Sequence, residues 1–208
     1  MRKQVIFSLV LGLLPLFIQA QLLPGFTPSI DFGEQQMVIE DSPTGTRILI
    51  NALIKGFGNN EKILLIFYAL PNGSSIEHTF GKKPKKGDDF RFDIQHIGAQ
   101  TRFLRSILKE RTIVVAYVEA TQKSWPSWVA GNPDAIHEIK EMVASVGEMY
   151  ARWSPEVVLN GHSGGGRFIL SYINAAEEIP ANVVRIAFLD SSYGHEDTPM
   201  KQVIYSKQ

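Results

Sequence analysis

Apolar residues along this chain fall into two patterns, and the order in which they alternate sets the expected architecture. The first pattern is continuous. "KILLIFYA" (residues 62–69), "TIVVAYV" (112–118), "VVL" (157–159) and "VVRIAFL" (183–189) carry branched and aromatic residues at nearly every position. Such short, uninterrupted runs predict strands covered on both faces. The second pattern has helical spacing. Ile97, Phe103, Leu104, Ile107 and Leu108 repeat at that spacing in "DIQHIGAQTRFLRSILKE", and a second helix is expected to start near Pro133 and Asp134 in "GNPDAIHEIKEMVASVGEMY". Asp or Asn just before a periodic apolar run is a helix-start signal. A third helix is expected in "GGRFILSYINAAEE", residues 165–178.

Ahead of these, "QMVIEDSPTGTRILINALIKG" (36–56) reads as a hairpin turning at residues 41–45. Residues 21–35, with Pro24, Gly25, Pro28 and Gly33, read as a loose N-terminal arm. "SSIEHTFGKKPKKGDDFRF" (74–92) reads as a surface loop, its Lys82, Lys83, Lys85 and Lys86 a solvated group rather than an anion site. After the hairpin the order is strand, helix, strand, helix, strand, helix, strand. That alternation predicts an α/β fold: a doubly wound, mainly parallel sheet with helices on both faces. The 208 residues suit one domain, expected over residues 36–208.

The first twenty residues stand apart. "MRKQVIFSLVLGLLPLFIQA" has Arg2 and Lys3 in front, an apolar stretch over residues 5–18 broken by Pro15, and a small residue at Ala20. The stretch is shorter than the roughly 20 residues a membrane span needs, so it reads as a signal peptide cleaved after Ala20. The mature protein is expected to be secreted or periplasmic, with no stable membrane anchor.

Composition narrows the chemistry. The chain holds 21 basic and 21 acidic side chains, and its formal net charge of zero gives no reason to expect a nucleic-acid partner. Cysteine is absent, which excludes thiol catalysis, thiolate-bound metals and disulfides. Asp88, Asp89 and Asp93 are oxygen ligands at loop spacing but do not complete a calcium-loop pattern. No metal and no cofactor is expected.

The most informative stretch is "VVLNGHSGGGRF", residues 157–168. A buried strand ends, and Ser163 follows among Gly161, Gly164, Gly165 and Gly166 before a helix begins. The string Gly161-His162-Ser163-Gly164-Gly165 fits G-x-S-x-G. In that arrangement a serine is held in strained backbone on a sharp strand-to-helix turn, and any Cβ two residues before or after it collides with neighbouring backbone. Ser163 is therefore a candidate nucleophile, and the Gly164 N–H at the helix start a candidate oxyanion donor. A phosphate loop is the competing use of a glycine-rich turn, but the Lys-Ser/Thr pair it requires is missing and Arg167 does not replace it.

These residues resemble the α/β-hydrolase superfamily over about residues 36–204, with Ser163 at the position of its nucleophile elbow. More narrowly, "YALPNG", "IQHIGAQTRFLR" and "GHSGGG" look like a group of exported bacterial proteins carrying this fold. The resemblance implies cleavage of an ester or other acyl bond through a covalent acyl-serine intermediate. It also implies a second oxyanion donor from the loop after the third strand, here "ALPNG", so Leu70, Asn72 and Gly73 are candidates; Pro71 has no N–H. In the family's order the acid and the histidine both follow the nucleophile. Asp190, at the end of "RIAFLD", is the candidate acid, and His195 is the one histidine after Ser163. His195 lies only five residues beyond Asp190 and would have to fold back sharply to serve as base. The family pattern therefore suggests that the chain lacks the last strands and the histidine loop beyond them. Trp125 and Trp128, in "ATQKSWPSW", are candidates to wall the substrate crevice, and the alternative is a hydrophobic plug of that loop. The competing function is a catalytically inactive protein of the same fold that binds a glycan or peptide.

Overall fold

The computed structural model of the chain describes residues 22–29, 32–41, 44–81, 86–87, 96–176 and 178–191. Residues 1–20, expected as a leader, Lys82, Lys83 and Lys85, the aspartates at 88, 89 and 93, and His195 lie outside the described residues.

Seven strands form one sheet in the order β1-β2-β3-β5-β4-β6-β7. They are β1 (Thr27–Pro28), β2 (Glu34–Asp41), β3 (Thr46–Leu53), β4 (Ile63–Ala69), β5 (Thr112–Glu119), β6 (Glu156–His162) and β7 (Val183–Leu189). The hairpin of β2 and β3 joins antiparallel to β5, and β5, β4, β6 and β7 run parallel. Five helices accompany them among the described residues: α1 (Ile76–Phe80), α2 (Ile97–Ile107), α3 (Trp125–Gly131), α4 (Ala135–Glu148) and α5 (Gly166–Ala175).

The continuous apolar runs are explained by burial on both sides. Every residue of β5, at the centre, is buried. Alternate positions along the strands feed two cores. Leu65, Phe67, Val114 and Ala116 pack under α3, α4 and α5, with Trp125, Ile139, Phe168 and Ile169 from those helices. Ile66, Tyr68, Val115 and Tyr117 pack on the other face, under Ile76 of α1 and Ile97 and Leu104 of α2. This is the doubly wound arrangement the alternation predicts.

Three features depart from the sequence reading. The segment expected as an open surface loop begins with α1, because Ser75 caps it by accepting from the His78 N–H at 3.2 Å. The Trp-containing loop folds into α3, started by Ser124, whose side chain accepts from the Ser127 N–H, with Pro126 in the first turn. Most residues of β7 are exposed or half-buried, with Val184 at 47%. Among the described residues it pairs with β6 alone, so its apolar sequence lies at the sheet's edge.

At the amino ends of the parallel strands lies an ion cluster that the apolar pattern does not signal. The Arg105 guanidinium donates to Glu34 Oε1 (3.0 Å), Asn51 Oδ1 (2.8 Å) and the Ile113 carbonyl (2.9 Å), while Arg102 reaches both oxygens of Glu34. Glu34, Asn51 and Arg105 are all buried. The cluster ties α2 to β2, β3 and β5 at the end of the sheet opposite Ser163.

Candidate active site

The carboxyl ends of β4 and β6 are neighbours, with Ala69 paired to Gly161. From β4 the chain leaves toward α1 and α2 on one face of the sheet. From β6 it leaves into α5 on the other. Adjacent strands whose connections depart to opposite faces open a crevice, and ligands bind there in open α/β sheets. Ser163 is the first residue beyond β6, in a single tight turn that runs into α5.

Ser163 has φ +48°, in the left-handed region that costs an L-residue roughly 1–2 kcal/mol. The surrounding glycines are accounted for by contact. A Cβ on Gly161 would lie 2.6 Å from the Gly165 carbonyl oxygen, and one on Gly165 would overlap the Ala69 carbonyl. Strand and helix thus touch backbone to backbone. Gly164 and Gly166 leave room for other elements: a Cβ would meet the Asn72 carboxamide at Gly164 and the Ser191 hydroxyl at Gly166. Each glycine of "GGG" therefore faces a different neighbour, from the β4 loop, the end of β4 and the end of β7.

The start of α5 is built for negative charge. Gly165 occupies the cap position and provides no side-chain cap. First-turn N–H groups have no helical acceptor, and the helix dipole adds partial positive charge there. Gly164 lies one residue before this cap, in the tight turn Ser163–Gly165 that leads into the helix. Gly166 N–H turns back to the Ser163 and Gly164 carbonyls.

The loop after β4 narrows the candidates for the second donor. Leu70 N–H donates to the Val118 carbonyl at 3.1 Å, and Gly73 N–H to the Lys123 carbonyl at 2.9 Å. Both are committed within the fold, which corrects the expectation that either faces the crevice. Asn72 is exposed, and its carboxamide lies against Gly164. The loop is held from below by Glu119, at the end of β5. That carboxylate is buried, accepts from the Ile76 N–H at 2.7 Å and pairs with Arg47.

Asp190 directly follows β7, exposed, with φ +47°. Its carboxylate acts electrostatically on His162. Burial holds the half-buried imidazole below its usual range, and the Asp190 carboxylate opposes that shift. Next to Asp190, the Ser191 hydroxyl donates to the Ser163 carbonyl at 2.7 Å. His137 is exposed on α4.

The tryptophans do not wall the crevice. Trp125 is 1% exposed and meets Phe168 of α5 edge-on at 4.7 Å between ring centroids, and Trp128 at 5.4 Å. Trp128 is buried and donates its indole N–H to the Thr44 carbonyl. Their bulk seats α5 behind the elbow, the plug that the loop's composition also allowed. Three groups at the site escaped the sequence reading: the Asn72 carboxamide, the Ser191 hydroxyl and the Glu119 support. Each depends on elements distant in sequence. No cluster of metal-ligating side chains occurs among the described residues, and no described helix is long and apolar enough to cross a membrane.

No protein-family model and no curated protein sequence matches the chain. Solved structures do. A cold-adapted esterase from an Arctic intertidal metagenomic library aligns at TM-score 0.41 and 12% identity, covering 73% of this chain and 59% of that protein. A candidate carboxylesterase from Lactobacillus plantarum aligns at TM-score 0.44 and 11% identity, covering 82% and 66%. The poly(3-hydroxybutyrate) depolymerase LpqC of Bordetella parapertussis aligns at TM-score 0.38 and 15% identity, covering 69% and 46%. The chain thus spans about three fifths of the length of the first of these proteins. Its strand order, its parallel core and the elbow after β6 are those of an α/β-hydrolase-like fold.

Proposed function

We propose that this chain is the nucleophile-bearing part of an exported serine hydrolase that cleaves an ester or other acyl bond. The observation that carries the reading is Ser163 itself: a non-glycine residue at φ +48°, on a glycine-flanked strand-to-helix turn, at the crevice between β4 and β6. Strain of this kind persists only where the surrounding structure enforces it. Here backbone contact between Gly165 and Ala69 does so.

In the proposed reaction Ser163 Oγ attacks the acyl carbon, and its proton passes to a histidine base. The carbonyl π electrons move onto oxygen. That oxyanion is met by Gly164 N–H and, from the β4 loop, by Asn72. The C–O bond to the leaving alcohol breaks, the base returns the proton to that alcohol, and the acyl-serine remains. Water repeats the sequence and releases the acid. The base is a histidine placed after Ser163 in the chain order and is not among the described residues. Asp190 is the acid assigned to orient it. The leader supports export to a secreted or periplasmic location.

Hydrolysis of p-nitrophenyl acetate tests the assignment. Ser163→Ala lowers turnover roughly a thousandfold or more if Ser163 is the nucleophile. Turnover unchanged in a folded Ser163→Ala chain removes the proposal.

A further inference from the structure

We infer that Ser191 is a positioning residue for the oxyanion site, acting through the peptide group that joins Ser163 to Gly164. The inference rests on the reading of Ser163 as nucleophile and goes one residue beyond it. The Ser191 hydroxyl donates to the Ser163 carbonyl oxygen at 2.7 Å. That carbonyl and the Gly164 N–H belong to one peptide unit, whose atoms lie in a plane with C=O and N–H pointing in opposite directions. Whatever fixes the carbonyl oxygen therefore aims the N–H.

Two donors fix it. Gly166 N–H reaches the Ser163 carbonyl from within the helix start, and Ser191 reaches it from the end of β7. Together they use both lone pairs of the oxygen. With its carbonyl held toward α5 and β7, the peptide turns its N–H back toward the crevice. A carbonyl that accepts a hydrogen bond also polarises its own amide, strengthening the N–H as a donor. The arrangement matters because Ser163 is strained, and a strained residue gains by rotating the adjoining peptide.

The chain around Ser191 is shaped for this contact. Asp190 takes φ +47°, bending the backbone just past β7 toward the elbow. Gly166 has no Cβ where one would overlap the Ser191 hydroxyl. The third glycine of "GGG" is thereby explained: Gly165 admits β4, Gly164 admits Asn72, and Gly166 admits Ser191.

The test uses the protein with its histidine base in place and a fluorophosphonate, whose phosphoryl oxygen occupies the oxyanion position, alongside ester turnover. Ser191→Ala is expected to lower kcat and the phosphonylation rate about tenfold with KM within about twofold, and Ser191→Thr, which keeps the hydroxyl, to recover most of the loss. The Gly164 amide proton is expected to shift upfield in Ser191→Ala as its carbonyl loses a donor. Gly166→Ala displaces the same hydroxyl from the other side and is expected to reproduce the kcat loss, which covers a Ser191→Ala chain that does not fold. Wild-type rates in either folded variant, with Ser163→Ala inert, overturn the role of Ser191 and leave the nucleophile intact. A wild-type chain that is neither labelled nor active overturns both.

Discussion

Ser163 carries a cost that a glycine at its position would not. The left-handed backbone penalises its Cβ by roughly 1–2 kcal/mol, while a glycine there gives back about 0.5–1 kcal/mol through greater freedom in the unfolded chain. Ser163→Gly is therefore expected to raise stability by up to about 1 kcal/mol, and Ser163→Ala, which keeps the Cβ, to leave it nearly unchanged. Urea denaturation separates the two; a glycine variant less stable than the alanine variant contradicts the strain argument. Gly165 behaves oppositely. Its missing Cβ is what lets α5 meet the end of β4, so Gly165→Ala is expected to cost about 3 kcal/mol or more and to abolish labelling of Ser163. At this scale the sequence was legible where chemistry sits in one short string. Ser163 and its glycines are contiguous with their strand and helix. Asn72 and Ser191 were not legible in their contacts, because each reaches the elbow from a loop of another strand.

Between elements, the largest feature hidden from sequence is the cluster of Glu34, Asn51, Arg102 and Arg105. Arg105 lies on a helix recognised by its apolar residues at helical spacing, and no local pattern distinguishes a buried arginine from an exposed one. Its burial follows from contacts with Glu34 of β2, Asn51 of β3 and the Ile113 carbonyl of β5, the first two distant in sequence. Removing one partner leaves the Glu34 carboxylate buried with fewer donors. Arg105→Ala is expected to cost about 3–5 kcal/mol in denaturant, and Arg105→Lys to recover little, since an ammonium cannot reproduce the fork of contacts. Phosphonylation of the folded fraction is expected to stay at the wild-type rate, because the cluster sits at the opposite end of the sheet. A loss of labelling matching that of Gly165→Ala would show instead that the two ends are coupled. The helices α1 and α3 were also hidden at this scale, each too short for periodicity and started by a serine cap. The long alternation of strands and helices was plain, because burial on both faces writes itself into every position of a parallel strand.

Over the whole molecule, the carboxyl edge of the sheet is where loops, charges and the elbow meet, and its acid sensitivity follows from Arg47. Arg47 bridges Glu40, Glu77 and buried Glu119. Its hydrogen bond holds the Glu77 carboxyl at about 2, below the usual 4.5. A depressed acid contributes stability that is full above its unfolded value and is lost as pH falls toward the folded one. The stability gap between the wild type and Glu77→Gln is therefore expected to be constant near neutrality and to close between pH 4.5 and about 2. Urea midpoints across that range check it, and a gap independent of pH contradicts it. His162 adds a change of the same sign at milder acidity, since burial lowers its pKa and its contribution fades as pH falls below 6.5.

On the proposed function the elbow presents one reactive serine, and a covalent adduct is its most direct probe. The folded protein, with its histidine base in place, is treated with a fluorophosphonate, digested, and the modified peptide mapped by mass spectrometry. A single adduct on Ser163 is expected, and it disappears in Ser163→Ala. A cooperatively folding chain that stays unmodified at Ser163 under the same treatment contradicts it.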